Sequence, residues 1–223
     1  MTTEGVASGD HMCCLYSGST ERNEIVLPYL REGLLALEKC VCVIDAEDPV
    51  AAFESLGGDI EATKAAGDGQ LEVVAAGDAY LRSGRFSAPE MEGFWKVAVS
   101  KVMNGGRFAR LRAAGEMSGS LRGAPATEEL IEFEASLTRL LPLYPQTILC
   151  LYDLDHFGGT MLIDLVKMHP KVYVNGRVLE NPYYLLPAEL MEQRTQAVRS
   201  DPRLETLVRI MDDGGGGANG APA

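Results

Sequence analysis

The fold class is first indicated by the segment "MCCLYSGSTERNEIVLPYLREGLLALEKCVCVID", residues 12–45. It begins with a short apolar run, 12–16, and ends with another, 40–45. Between them, 20–39 carries apolar side chains every three or four residues, which is the spacing of an amphipathic helix. Both apolar runs lack polar alternation, which is typical of strands covered on both faces. The segment therefore predicts a strand, a helix and a second, parallel strand.

The same alternation of strand and helix patterns continues along the chain. Further apolar runs at 69–76, 108–118 and 146–155 predict strands, and "KVYVNG" with "GRVLENPYYL" predicts a terminal strand or hairpin. Helices are predicted at about 49–56, 87–106, 126–145, 158–170 and 187–199. The acidic stretch "TEELIEFE", 127–134, is expected to be a solvated helix face. The pattern predicts an α/β fold with a mostly parallel sheet flanked by helices.

Length and composition predict one domain. A chain of 223 residues with 46% hydrophobic residues can bury a full core and still form a single domain. We expect that domain at 8–199, after an N-terminal extension at 1–7. The Gly/Ala-rich end, 212–223, has nothing to bury and is expected to be disordered.

Charge and hydropathy exclude several classes of partner. The formal net charge of −12 would repel the phosphate backbone of nucleic acids and an anionic membrane surface. No apolar stretch reaches the ~18 residues that a membrane span needs, and no signal peptide pattern opens the chain. We therefore expect a soluble, cytoplasmic protein. Its five cysteines lie in apolar runs, so they are expected to be buried and reduced.

The loop after the first strand departs from the phosphate-binding pattern GxxxxGK[ST]. Counted from Gly18, the second glycine position holds Asn23, the lysine position holds Glu24 and the hydroxyl position holds Ile25. A carboxylate in place of the lysine would repel a triphosphate. The loop therefore argues against nucleotide binding, and no cofactor is expected.

The candidate site is expected at the carboxyl edge of the sheet, where parallel α/β folds bind ligands. Polar and aromatic side chains near the ends of separate strands are expected to converge there on one pocket for a small, weakly polar ligand: Asp10, His11, Tyr16, Glu116, Tyr152, Asp153 and His156. Caps and turns are the ordinary alternative for such residues. No catalytic residue and no metal ligand is predicted.

The stretch "GDHMCCLYSG", 9–18, supports the absence of a metal. Successive strand side chains point to opposite faces, so Cys13 and Cys14 cannot both bind one ion without distortion. We interpret the cysteines as core residues and His11 as a cap or a donor at the pocket edge.

Several motifs together resemble one known family. They are "GDHMCCLYSGSTERNEIVLPYLREGL", "EKCVCVIDAEDP", "AYLRSGRFSAPEM", "AAGEMS", "EELIEFEASLTRLLP", "CLYDLDHFGG" and "HPKVYVNGRVLENPYY", in order over about 8–190. They resemble the MEDS sensory domain, the sensor module of the dichloromethane-responsive repressor. The resemblance implies a RecA-like three-layer sandwich with a degenerate phosphate-binding loop, which senses simple hydrocarbon derivatives in prokaryotic signal transduction or transcriptional regulation.

The resemblance also implies how such a sensor would act. Members are often fused to an output domain, and about 30 residues follow the matched region here, so the output is expected to pass through a partner: a kinase, an anti-sigma factor or a transcription regulator. Self-association as a homodimer stays open.

Two alternatives to a sensory function remain. One is an enzyme, either a nucleotide hydrolase using Glu116 and Asp153 or a thiol-dependent enzyme using Cys14 and His11. The other is a scaffold with a vestigial pocket.

Overall fold

The architecture comes from a computed structural model, which describes residues 5–46, 67–121 and 126–200. The predicted helix at 49–56 and the tail at 212–223 lie outside these ranges. The strands are β1 (His11–Tyr16), β2 (Lys39–Ile44), β3 (Leu71–Ala75), β4 (Leu111–Glu116), β5 (Gln146–Asp153), β6 (Lys171–Val174) and β7 (Arg177–Glu180). The helices are α1 (Gly18–Leu35), α2 (Ala76–Ala79), α3 (Ala88–Gly105), α4 (Ala126–Leu140), α5 (Gly159–Met168) and α6 (Pro187–Ser200).

The strands form one sheet in the order β3-β2-β4-β5-β1-β6-β7. All neighbours pair in parallel except β6 and β7, which form an antiparallel hairpin. The predicted α/β class with a mostly parallel sheet is therefore confirmed. The hairpin turn is Asn175-Gly176, where both residues have positive φ (49° and 78°) as a two-residue type I′ turn requires.

Helices cover both faces of the sheet and make the predicted three-layer sandwich. On one face, α1 buries Val26, Tyr29 and Leu30 against β1, β2 and β5. On the other face, α3, α4 and α5 bury a larger cluster that includes Trp95 and Phe133. Strands between two such layers need apolar side chains on both sides, which explains the continuous hydrophobic runs of the sequence.

Helix α1 packs very closely on the sheet at Gly33. A Cβ atom at this position would lie 2.5 Å from Cδ of Arg112 and 2.7 Å from Sγ of Cys40, so only glycine fits. Arg112 is itself held by a buried ion pair with Glu38 at 2.5 Å and stacks on the Tyr29 ring, 4.8 Å from its centroid. These contacts fix the position of α1 and therefore of the residues at its start.

Strands β1 and β6 part after two residue pairs. Met12 lies opposite Lys171 and Cys13 opposite Val172, and no further pair joins the two strands in the described part of the chain. Beyond these pairs, the carboxyl half of β1 is hydrogen-bonded on its other side, to β5. A gap therefore opens in the sheet on the β6 side of β1.

The chain divides into two compact units, 1–184 and 185–223. In the second unit, α6 confirms the predicted final helix, and the Leu186 amide donates to the Glu189 carboxylate at 2.8 Å before its first turn. The domain boundaries at 8 and 199 stay a prediction. Among the described helices, none combines the length and apolar character needed to cross a membrane.

Candidate functional site

A polar network lies at the carboxyl edge of the sheet and is centred on Glu116, the last residue of β4. The Tyr16 hydroxyl donates to Oε1 of Glu116 at 2.7 Å, and Nη1 of Arg22 donates to Oε2 at 2.8 Å. The Asp45 amide also donates to Oε2, at 2.9 Å, and Ser118 Oγ lies 3.3 Å from the Tyr16 hydroxyl. We call these five residues the carboxyl-edge network.

Every oxygen of the Glu116 carboxylate has a donor in this network, including a buried guanidinium. Burial, and then the neighbouring Glu116 carboxylate, raises the pKa of Tyr16 far above its usual range, so its hydroxyl stays a donor. Three donors from three separate parts of the chain therefore converge on this one carboxylate. The network is therefore suited to hold β1, β4 and α1 together.

Asp153 and His156 lie at the same edge. Tyr16 and Asp153 are register partners on β1 and β5. Nδ1 of His156 lies 3.3 Å from Oδ2 of Asp153, and the Asp155 amide donates to Oδ1 at 2.9 Å. The His156 side chain is 60% exposed. Four of the seven predicted residues, Tyr16, Glu116, Asp153 and His156, thus share this edge.

Asp10 and His11 lie at the opposite end of β1. Oδ1 of Asp10 forms an ion pair with Lys171 at 2.8 Å, and His11 lies opposite Ile148 near the start of β5. Tyr16 lies five positions after His11 on this strand, which is about 16 Å at ~3.3 Å per residue. His11 therefore does not lie at the carboxyl edge, where it was expected to converge with Glu116 and Asp153 on one pocket. The ligand-binding role of the seven residues stays a prediction.

His11 belongs instead to a buried group of side chains between the sheet and α4. Its Nε2 atom lies 3.0 Å from Oε2 of Glu134, and His169 Nε2 lies 3.4 Å from the same oxygen. Cys150 Sγ lies 3.6 Å from His11 Nε2 and 3.7 Å from Glu134 Oε2. The Tyr152 hydroxyl donates to the other oxygen, Oε1, at 2.5 Å. We call His11, Glu134, Cys150 and His169 the interior cluster.

The interior cluster is closed to solvent, with exposed fractions of 0 to 2%. Burial, and then the nearby His169, lowers the pKa of His11 to about 4, so its imidazole is neutral near pH 7. Burial also raises the pKa of the Cys150 thiol and of the Tyr152 hydroxyl well above their usual ranges. The Cys150 thiol and the Tyr152 hydroxyl are therefore protonated near neutral pH unless a cation binds beside them.

Glu134 was expected on a solvated helix face, and this expectation is wrong. Its side chain is fully buried, whereas Glu132 and Glu128 of the same acidic stretch are exposed. Glu134 lies four residues after Leu130 and three before Leu137, inside the apolar stripe that α4 turns towards the sheet. The sequence signal for this burial is a carboxylate at a position of the apolar stripe, within a run of acidic residues that conceals it.

A cavity of about 420 Å³ lies in the gap between β1 and β6. Its walls are mostly apolar, with two carboxylates and one side-chain amide, and the lining residues are Cys13, Cys14, Leu15, Glu21, Glu24, Ile25, Pro28, Val166, Val172, Tyr173, Val174, Asn175 and Gly176. None of the seven predicted residues lines it. The sequence did not indicate this cavity. It forms where β1 and β6 separate, and strand pairing cannot be deduced from hydrophobic runs.

The degenerate phosphate loop is visible at the start of α1. Only Ser17 separates β1 from α1, whereas the phosphate-binding pattern places a longer loop there. The carboxylate of Glu21 accepts from the Ser17 amide at 2.7 Å, and the Ser17 hydroxyl donates to Asp155 at 3.0 Å. Carboxylates therefore occupy hydrogen-bonding groups at this helix N-terminus that a phosphate would otherwise use.

All five cysteines are buried and free, as expected. Burial, and then Glu21, raises the pKa of Cys14 to about 12, so its thiol is protonated near neutral pH. Cys14 packs on the α1 side of the sheet, whereas His11 contacts Glu134 of α4 on the other side. The expected alternative pair of Cys14 and His11 is therefore not formed.

Comparison with known proteins gives the family and the fold. The model of the family "MEDS: MEthanogen/methylotroph, DcmR Sensory domain" matches residues 10–170. The transcriptional repressor DcmR of Methylorubrum extorquens is 28% identical over 174 residues, which are 75% of this chain and 61% of the repressor. The chain thus spans about three fifths of the length of that relative.

Two archaeal crystal structures share the fold. The flagellar accessory protein FlaH of Methanocaldococcus jannaschii superposes with a TM-score of 0.55 at 11% identity, covering 82% of each chain. A KaiC-like protein of Pyrococcus horikoshii gives 0.53 at 13% identity, covering 75% of this chain and 71% of the other. With the three layers and the strand order above, they establish the RecA-like fold. The family match covers well over half of the sequence, so this chain belongs to the MEDS family of sensory domains.

Proposed function

We propose that this domain binds a small, weakly polar hydrocarbon derivative in the cavity between β1 and β6, without catalysing a reaction, and signals its presence to a partner protein. The observation that carries the proposal is the cavity itself. Its volume of about 420 Å³ lies within the ~300–1,000 Å³ range of small-molecule sites, and its walls are mostly apolar. A few polar groups in such walls would orient the ligand.

The position of the cavity favours this role. It lies beside the carboxyl half of β1, where open α/β sheets bind their ligands. Pro28 stands in the middle of α1 and has no amide proton, so the Glu24 carbonyl lacks its usual helical partner. Glu24 and Pro28 both line the cavity. An acceptor of this kind suits a ligand with one donor group, such as a short alcohol or amine.

The β6–β7 hairpin offers a route from ligand to partner. Val172 to Gly176 form one wall of the cavity, and β7 on the far side of the hairpin is an edge strand with mostly exposed residues. A ligand that favours one position of the hairpin would change the edge that β7 presents. The proposed partner is a kinase, an anti-sigma factor or a transcription regulator, which is what the resemblance to the family implies.

A thermal-shift series tests the binding step. Dichloromethane, 1-butanol and butylamine would be compared with Mg²⁺-ATP, because a ligand of the folded state raises its melting temperature with the logarithm of concentration. We expect a saturable rise with at least one organic probe and none with Mg²⁺-ATP. A rise with Mg²⁺-ATP alone would favour the nucleotide hydrolase instead.

A matched pair of variants locates the binding site. Ile25→Trp places an indole in the cavity wall, and Leu35→Trp places one on an exposed position of the same helix. We expect the first to abolish the shift and the second to keep it. Equal shifts in both variants would contradict binding in this cavity.

A further inference from the structure

We propose that the interior cluster is a structural metal site, in which His11, Glu134, Cys150 and His169 bind one divalent transition-metal ion, best matched by Zn²⁺. One potential ligand atom from each of the four residues lies within 4.8 Å of the others, and all four side chains are buried. They come from β1, α4, β5 and the residue directly after α5, so the ion would join four separate parts of the chain.

The protons of the cluster are the first argument. His169 Nδ1 lies 2.7 Å from the Leu165 carbonyl, which only accepts, so Nδ1 carries the ring proton. Thr138 donates its hydroxyl proton to the Glu134 carbonyl, so its Oγ1 accepts from His11 Nδ1 at 3.2 Å. Because Nδ1 of each ring faces one of these acceptors, Nε2 is the nitrogen of each ring that faces Oε2 of Glu134.

Three acceptor atoms, Nε2 of His11, Nε2 of His169 and Oε2 of Glu134, thus face one another, and few donors lie close to them. The Cys150 thiol supplies one weak donor, and protonating Glu134 would supply one more, which would bridge to a single imidazole. His169 Nε2 is buried, and within the described residues it has no hydrogen-bond partner. A buried acceptor without a donor destabilises the fold, whereas a cation would satisfy all of these lone pairs at once.

The distances are the second argument. With bonds of about 2.0 Å to N or O and about 2.3 Å to S, a tetrahedral zinc ion separates its ligand atoms by about 3.3 Å for N and O and by about 3.5 Å for pairs with S. Four of the six pairs are close to these values: the two N to O distances are 3.0 and 3.4 Å, and two pairs with Cys150 Sγ are 3.6 and 3.7 Å. The other two pairs, both to His169 Nε2, lie within 4.8 Å, so this ring would move inwards when the ion binds.

Charge and outer contacts are the third argument. A carboxylate and a thiolate together cancel the charge of a divalent ion, so the filled site would be neutral, as a closed interior requires. The Cys150 proton would leave to solvent when the metal binds. The Nδ1 bonds of His169 and His11 orient both rings, as outer contacts do for metal-binding histidines. Mixed N, S and O ligands in a closed site favour zinc.

The test uses the full chain, isolated without added metal, and measures its metal content by mass spectrometry. We expect about one zinc per chain. After chelation, titration with Co²⁺ should produce the visible bands of a tetrahedral site and a near-ultraviolet thiolate-to-cobalt band with a 1:1 end point. A chain that contains no metal and gives neither signal with Co²⁺ would overturn the proposal.

Variants assign the ligands. Cys150→Ser should remove the near-ultraviolet band, and Cys42→Ser is the matched control, because Cys42 is equally buried but belongs to the other core cluster. His169→Gln should weaken Co²⁺ binding at least tenfold. If Cys150→Ser does not fold, alkylation serves instead: bound zinc should protect Cys150 but not Cys42 in partly denatured protein. An unchanged cobalt spectrum in Cys150→Ser, or equal alkylation of both thiols, would contradict the assignment.

Discussion

Two buried carboxylates, Glu116 and Glu134, differ in the donors around them. Glu116 accepts from a tyrosine, an arginine and a backbone amide, so both of its oxygens are satisfied by the protein. Glu134 receives one strong donor, Tyr152, on Oε1, and its Oε2 faces two imidazole nitrogens. Both carboxylates are almost inaccessible to water. Burial alone therefore does not distinguish the two carboxylates, whereas the number of donors around each one does.

The largest expected effect comes from removing the Arg22 guanidinium from the carboxyl-edge network. Arg22→Met should lower the free energy of unfolding by about 3–5 kcal/mol, because it leaves a buried carboxylate without its counter-charge. Urea unfolding at pH 7 measures this. The control is Lys96→Met, which breaks the exposed pair with Glu92 and should cost less than about 0.5 kcal/mol. Equal effects would mean that Arg22 does not compensate Glu116.

Neutralising each carboxylate should separate the two sites more sharply. Glu134→Gln should cost about 2–3 kcal/mol in the metal-loaded protein but less than about 1 kcal/mol after chelation, because the new amide can then donate to a neighbouring Nε2. Glu116→Gln should cost the same in both conditions. Unfolding curves with and without chelator give the comparison, and a chelator-independent cost at Glu134 would count against the metal.

The two tyrosines offer a smaller, matched comparison. Tyr152→Phe removes the strong donor to Oε1 of Glu134, and we expect a loss of about 2 kcal/mol. Tyr16→Phe leaves Glu116 with two other donors and should cost about 1 kcal/mol. Both values come from urea unfolding. The reverse order would show that Glu134 has donors beyond those described here.

The last comparison concerns reactivity rather than stability: the Cys14 thiol in the cavity wall should be labelled slowly. Its pKa of about 12, against an ordinary value of 9.0, leaves about a thousandfold less thiolate at pH 8. Iodoacetamide should therefore react slowly with native protein, with a rate that rises about tenfold per pH unit. Peptide mass spectrometry locates the label, and denatured protein is the control in which all five thiols react. Fast labelling at pH 7 would revive a thiol-dependent activity.

Much of the fold was predictable because it depends on local patterns. Continuous apolar runs predicted the strands, and the structure confirms those at 12–16, 40–45 and 146–155 within one or two residues at each end. The predicted helix at 126–145 is shorter, and α4 ends at Leu140 before Pro142, whose ring cannot continue a helix. The 3.6-residue period indicates which face of a helix is buried, but not the residue at which the helix ends.

The site was less predictable because it depends on contacts distant in sequence. The carboxyl-edge group was foreseen in part, since strand ends of a parallel sheet meet at one edge. His11 was misplaced because it begins β1 rather than ending it. Its contact with Glu134 spans 123 positions, and His169 enters the same space from the end of α5. No pattern within one element indicates such a meeting.

The parting of β1 and β6 has a dynamic consequence. The hairpin keeps four residue pairs between β6 and β7 but joins β1 through two, so it can open as a unit by breaking few backbone hydrogen bonds while its own ladder stays intact. Amide hydrogen exchange should therefore be faster across the β1–β6 seam than across β1–β5. A molecule bound between β1 and β6 would slow that exchange. The occupancy of the cavity would then determine how long the hairpin stays closed against β1.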